Sequence, residues 1–395
     1  MSTIDHLSAE DRLCLLLAQG SIDAGARARA LDLLEGPLDW TLLLDRSDTH
    51  GVGPLVFRNL RALDFAGVPE MARRDFEARA RGAALRNELL MDALSAVLGQ
   101  LHAAGVPAIP LKGPALADTL YGDPALRECG DLDLLVPPGR LRQAWALLLA
   151  NGWAPAEAYT VDAADLGWLM ESNMEYAFTK LRGRLPTVLE VHWDIAWRWQ
   201  RRGRAAEDLW AHARPARLRG VPCLTLDDPW QLVYLATHAA RHRWQQLKWL
   251  VDIHELASRS SMDWHEARRV ANGLDLTRVV RVSLSACHAL FGTAFPAAFP
   301  PVTLPPWLRL YPEAPAASDM WKDALLPARL LSGTRARLMY LARVLLRPTL
   351  AERRALQLPP ALEPLYYAVR PLRLGCRWTS GVARLGLRRL AGAPS

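Results

Sequence analysis

Apolar positions at helical spacing dominate the first hundred residues of the chain. Residues 8 to about 35 read as helical, with Ser8 as N-cap and Glu10 and Asp11 in the first turn, where negative charge favours the helix dipole. Further helices fit Leu38 to Leu44 and Val52 to Leu63. From Pro69 a long helix runs on, its Leu85, Leu89, Leu90, Leu94, Val97, Leu98 and Leu101 recurring every three or four residues. Gly105 ends it, in the position a left-handed cap requires. The period then changes. Val106 to Leu111 is a short apolar strand ending in Lys112-Gly113-Pro114, followed by a helical segment Ala115 to Tyr121 and a turn at Gly122-Asp123-Pro124. Asp131 to Val136 alternates acid and apolar residues, the signature of a half-buried strand.

Pro137-Pro138-Gly139 turns the chain into a helix over Leu141 to Ala150, closed by Asn151-Gly152. Residues 175–181 and 187–193 read as two strands joined through Arg182 to Pro186, a hairpin by pattern. From Asp228-Pro229 four helical stretches follow with short loops, the pattern of a bundle. Pro296 to Pro315 reads as a proline-rich linker or meandering loop. The expected fold class is α+β. Its expected parts are a helical layer (1–104), a small mixed-sheet core (105–226), a helical bundle (227–295), a proline-rich connection (296–328) and a basic helical tail (329–395).

Hydrophobic residues make up 51% of the 395 and charged residues 23%, ordinary for a globular protein with a sizeable core. The five cysteines form no CxxC pair, so neither a disulfide framework nor a zinc site is indicated, and a reducing, cytoplasmic setting fits. The N-terminal stretch has acids before a short apolar run and no basic region, unlike a signal peptide. No run of about 18 apolar residues predicts a membrane span. The net charge of +7 is unevenly spread: from Arg329 onward thirteen arginines face only Glu352 and Glu363. The body is therefore acidic, and nucleic acid is not the expected partner. Amphipathic arginine-rich helices in the tail are compatible with weak contact to an anionic surface, or with solvated faces of packed helices. The second reading is favoured.

The chemistry concentrates in a few positions. Asp131 and Asp133, at i and i+2 of a strand, point to one side while Leu132 and Leu134 turn into the core. Two carboxylates held side by side repel unless a cation lies between them, and hard cations such as Mg²⁺ take carboxylate oxygens together with substrate phosphates. Glu190 and His192 share one face of a later strand, supplying a third carboxylate if that strand lies beside the first.

The run Leu111-Lys112-Gly113, Tyr121, Arg127, Asp131 to Val136 and Glu190-Val191-His192-Trp193 resembles the nucleotidyltransferase superfamily with the polymerase beta-like fold. The likeness is to its branch of uncharacterised bacterial nucleotidyltransferase family proteins, and is densest over residues 85–195. The resemblance implies that Asp131, Asp133 and Glu190 are the catalytic and metal-holding acids of a two-Mg²⁺ site. It also implies that Lys112, Gly113, Arg127 and His192 contact the nucleotide. Departures are Gly113-Pro114 where the superfamily usually has Gly-Ser or Gly-Gly, a longer interval before Asp131, and glutamate as the third acid.

The expected activity is Mg²⁺-dependent transfer of a nucleoside monophosphate from an NTP to a hydroxyl or phosphate acceptor that the sequence does not identify. The alternative is an inactive or weakly active module of the same fold that works through a protein partner.

Overall fold

The computed structural model describes residues 6–156, 163–183, 185–195, 205–308, 310–312, 320–331 and 333–376. Four short helices, α1 (Ala9–Leu17), α2 (Ala24–Leu34), α3 (Trp40–Thr49) and α4 (Gly53–Ala62), precede the long α5 (Glu70–Ala103). Ser8 caps α1 by accepting from the Asp11 N–H. The continuous helix expected over residues 8–35 is instead two, and the break has a contact reason. The Gly20 N–H donates to Glu255 Oε1 at 2.6 Å, and a Cβ at Gly20 would lie 2.5 Å from that carboxylate. Bare backbone is needed there, and Asp23 restarts the helix by accepting from the Ala26 N–H.

The α/β unit follows as β1 (Ile109–Pro110), α6 (Pro114–Tyr121), β2 (Leu132–Leu135), α7 (Leu141–Ala150), β3 (Ala154–Pro155), α8 (Ala163–Ser172), β4 (Glu175–Arg182) and β5 (Leu185–His192). The five strands lie in the order β1-β2-β5-β4-β3. β2 and β5 run parallel, with Asp133 opposite Glu190 and Leu135 opposite His192. β4 and β5 form the expected hairpin, its register running from Glu175 opposite His192 to Arg182 opposite Leu185. One sheet face is apolar: Leu132, Leu134, Phe178, Leu189 and Val191 pack with Leu94, Leu98, Leu148 and their neighbours from α5 and α7. The other face carries the polar side chains and is left for the helices that come later.

Between the sheet and the bundle the chain forms α9 (Ala205–His212) and a hairpin of β6 (Arg214–Leu218) and β7 (Val221–Thr225), none of which the pattern announced. The hairpin docks beside β1, the Leu224 N–H donating to the Ala108 carbonyl at 3.0 Å. Four helices then match the expected stretches: α10 (Asp228–Arg241), α11 (Leu247–Ala257), α12 (Trp264–Gly273) and α13 (Thr277–Phe291). They do not make a core alone. Leu13, Leu17, Leu43 and Leu60 from the N-terminal helices share one buried cluster with Trp230, Leu250, Ile253 and Val280. The first and third segments of the sequence thus enclose the sheet's polar face together.

The proline-rich segment is a strap rather than a free linker. Phe299 and Tyr311 join that same core, and the Tyr311 hydroxyl lies 3.0 Å from Asp11 Oδ1. Leu85 and Leu89 depart from the expected core stripe of α5, being 64% and 36% exposed while Leu90, Leu94 and Leu98 are buried.

Beyond the strap lie α14 (Met320–Leu330), α15 (Thr334–Leu346) and α16 (Leu350–Ala355). Arg347 pairs with Glu171, Arg353 and Arg354 with Asp165, and Arg370 and Arg373 with the buried Glu352. These arginines fasten packed helices. The final basic stretch, residues 377–395, lies outside the described residues. Among the described residues no helix is long and apolar enough to cross a membrane.

Candidate active site

The polar face of the sheet gathers most of the residues singled out in the sequence. Parallel pairing of β2 and β5 sets Asp133 beside Glu190, and His192 follows two residues on along the same face of β5. Each of these three side chains offers a ligand atom within 4.8 Å of the others. Asp133 and His192 are each only 1% exposed, and Glu190 is partly open to solvent. His192 Nε2 lies 3.0 Å from Asp133 Oδ1 and 3.8 Å from Glu190 Oε2. Asp131 stands just ahead of β2, at the rim, its side chain 37% exposed.

Lys112 is the counter-charge. Its buried ammonium lies 2.8 Å from Asp133 Oδ2 and 3.4 Å from Asp131 Oδ1, in the place between the two acids that repulsion assigns to a cation. Burial works against charge on Lys112, but Asp133, Asp131 and Glu190 outweigh it and raise its proton affinity. Burial likewise works against charge on Asp133, yet Lys112 and the hydrogen bond with His192 hold that carboxyl below its ordinary range.

Gly113 has φ near +73°, in the left-handed region, and a Cβ there would lie 3.4 Å from the Asp131 carbonyl. Pro114 follows as the first residue of α6, where the absent N–H would have had no helical partner. Proline here starts the helix, which accounts for the departure from Gly-Ser in local terms.

Two predicted residues sit differently. Arg127 does not point into the acid cluster. It is 4% exposed, and its Nε donates to Asp252 Oδ2 at 2.8 Å, while the Tyr121 hydroxyl donates to Asp252 Oδ1 at 2.9 Å. It ties the loop before β2 to α11. His192, expected against nucleotide, is enclosed among Asp133, Glu190 and Glu175, with Nδ1 3.1 Å from Glu175 Oε2.

Glu175, Arg241 and Tyr234 went unrecognised in the sequence, which reads His238 as a buried capping or hydrogen-bonding residue rather than a substrate contact. Arg241 grips Glu175 through both terminal nitrogens, at 2.9 and 2.5 Å. Gln231, ten residues earlier on α10, donates to the Leu111 carbonyl at 3.0 Å. These two contacts pin α10 across the cluster, with Tyr234 and His238 on the same stripe between them. The Tyr234 hydroxyl and His238 Nδ1 are buried with no hydrogen-bond partner among the described residues. Glu175 was reachable: the hairpin register sets it opposite His192. Arg241 was not, because its position depends on how the bundle docks.

Burial, with Asp133 and Glu175 nearby, raises the Glu190 carboxyl to about 7. Glu175 is pulled down to about 2, burial being outweighed by His192 and Arg241. These shifts have opposite consequences for stability. As pH rises from about 4.5 to about 7 the unfolded chain releases the Glu190 proton and the folded protein retains it, so stability falls across that window. Glu175 contributes stability that is lost only as pH drops from about 4.5 toward 2. Urea denaturation in a metal-free buffer at pH 5 and pH 7 should therefore show a loss of stability that Glu190→Gln reduces. An equal loss in both proteins would remove Glu190 as its source.

A mixed sheet with acids clustered on adjacent parallel strands, beside a glycine turn and under a helical cover, defines an α+β domain with a candidate cation site. The chain belongs to the family described as uncharacterised nucleotidyltransferase, whose family model matches residues 36–292. No curated protein matches it. A solved structure that it resembles is an antigenic nucleotidyltransferase-like protein from Paracoccidioides brasiliensis, at 15% identity and a TM-score of 0.31, with 53% of this chain and 95% of that one covered.

Proposed function

We propose that the protein is a Mg²⁺-dependent nucleotidyltransferase that moves a nucleoside monophosphate from an NTP to an acceptor hydroxyl or phosphate. The carrying observation is the register that sets Asp133 beside Glu190, with Asp131 at the open rim. The donor set suits a hard divalent cation: carboxylates predominate, and their negative charge exceeds what Lys112 neutralises. Asp131, Asp133 and Glu190 would hold the metal. Bound there, it would offset the charge that develops on the entering and leaving oxygens.

The chain's own groups supply the rest. Gly113 lets backbone approach phosphate closely, and Lys112 is a point charge within reach of the same region. Glu190, beside Asp133 and partly open to solvent, is placed to take the proton of an acceptor hydroxyl. The new bond joins the acceptor oxygen to the α-phosphorus, the bond to the leaving oxygen breaks, and pyrophosphate departs. A cytoplasmic setting accompanies this reading, because NTPs and Mg²⁺ are abundant there.

A second reading keeps the fold without turnover: a binding module acting through a partner. What favours it is Lys112, whose ammonium sits between Asp131 and Asp133 where a metal would lie. Calorimetry with each NTP, with and without Mg²⁺, separates the two. The transferase reading expects metal-dependent binding, weakened about tenfold (~1.4 kcal/mol) by Asp131→Asn. No binding to the wild type with any metal would move the assignment to the partner-binding module.

A further inference from the structure

We propose that the stacked rings of His242 and Trp249, at the solvent end of α10, form the platform on which the base of the NTP lies. The platform rests on the transferase reading and gives its nucleotide base a seat.

The placement follows from the helix period. At about 100° per residue, Gln231, Tyr234, His238 and His242 fall within about 80° of one another on α10. His242 continues the helical ladder one residue past the end of α10, its N–H donating to the His238 carbonyl at 3.3 Å. The stripe that Gln231 and Arg241 pin across the acid cluster therefore extends to His242. Tyr234 and His238 are buried, at 2% and 5% exposure, and His242 is exposed. The stripe thus runs from the acids out to solvent.

Trp249 of α11 supplies the second ring. It stacks on His242 with centroids 4.8 Å apart and planes 30° from parallel, and meets His238 edge-on at 5.5 Å. α11 is fixed over the loop that leads to Asp131: Lys248 donates to the Glu128 carbonyl at 3.5 Å, and Asp252 holds Arg127. Partial burial, with Arg241 and Lys112, lowers the pKa of the His242 ring to about 4, against the opposite pull of Glu175 and Asp131. The ring is therefore neutral near pH 7 and stands within the field of the cluster. A pair that only sealed the two helices would be enclosed. Trp244, two residues on, does that sealing: it is 1% exposed, and its indole N–H donates to Ser283 Oγ at 2.8 Å.

Neutral stacked rings that reach solvent suit a flat heteroaromatic face. The span suits a nucleotide. Gln231 reaches the Leu111 carbonyl, next to the Lys112-Gly113 turn. His242 lies eleven residues further on, about 16 Å along the helix. A triphosphate held at that turn and at the acids carries its base toward the far end of the stripe. On the way lie the Tyr234 hydroxyl and His238 Nδ1, both buried and without a hydrogen-bond partner among the described residues. Buried polar groups of this kind call for a partner, and the hydroxyls of a ribose can supply it. Stacking engages the face of a ring and not its edge, so the platform admits all four bases.

Calorimetry with each Mg²⁺–NTP, and with Mg²⁺–tripolyphosphate as a ligand without a base, tests the assignment. The wild type should bind at least one NTP about tenfold more tightly than tripolyphosphate. His242→Ala, at an exposed position, should weaken that NTP about fivefold or more and leave tripolyphosphate within about twofold. His242→Phe keeps a stacking ring and should stay within about twofold of wild type for both ligands. If folded His242→Ala binds the NTP as wild type does, or loses NTP and tripolyphosphate alike, the platform is overturned. Tripolyphosphate bound by the wild type as tightly as every NTP also overturns it, and leaves the transferase reading standing. Binding of neither ligand by the wild type would sink the transferase reading itself, and the platform with it.

Discussion

Arg127→Met is expected to destabilise the protein by about 3–5 kcal/mol, because it strands a buried carboxylate. Asp252 is fully buried, and its charge is met by the Arg127 guanidinium at 2.8 Å and by the Tyr121 hydroxyl at 2.9 Å. Burial works against the Arg127 charge, but Asp252 outweighs it and raises its proton affinity. Methionine keeps the length of the side chain and removes the counter-charge. The double variant Arg127→Met/Asp252→Leu should regain most of the loss, since apolar side chains can replace a buried ion pair at little net cost. Urea denaturation of the wild type, both single variants and the double variant gives the coupling directly. The outcome also assigns the residue's role. A loss under about 1 kcal/mol, with a fall in NTP affinity instead, would return Arg127 to the phosphate contact that the family resemblance implies.

The Arg127 pair shows where sequence reading ends. Local patterns placed the acid strand, the short helix before it and the Glu190–His192 strand, because each depends on alternation or spacing within about ten residues. The Glu190 strand could be read as lying beside the Asp131 strand because Glu190 and His192 share one face, but the parallel direction of that pairing was not legible. What depended on distant docking was not legible. Glu255 breaks the first helix at Gly20 from 235 residues away. Tyr311 turns an apparent linker into part of the core by reaching Asp11. Arg127 was read as a phosphate contact because arginine suits phosphate, whereas its actual partner sits on α11, 125 residues on. Helical spacing in α5 also overreached: at about 100° per residue Leu85 lies on the side of the helix opposite Leu94, so it falls outside the buried face that Asn87, Leu90 and Leu94 share.

Lys112→Met is expected to have opposite effects on the two ligands of the site. In the folded protein the Lys112 ammonium neutralises Asp133 at 2.8 Å and Asp131 at 3.4 Å, so a divalent cation must displace it to reach those acids. Removing it leaves His192 as the hydrogen-bond partner of Asp133 among the described residues, in a buried setting where a poorly paired carboxylate is costly. Without metal the variant should melt lower than the wild type. Mg²⁺ or Mn²⁺ alone should then raise its melting temperature by more than it raises that of the wild type, since a cation that binds only the folded state stabilises it by mass action. NTP affinity should move the other way. A charge-assisted phosphate contact contributes about 1.5–3 kcal/mol, so the variant should bind Mg²⁺–NTP roughly 10–100-fold more weakly. Together these results would describe a lysine that guards the acids in the empty protein and turns to phosphate when substrate arrives. If Lys112→Met binds divalent ions no better than wild type and has unaltered nucleotide affinity, the lysine is a permanent substitute for the metal. The partner-binding module would then become the better account of the fold.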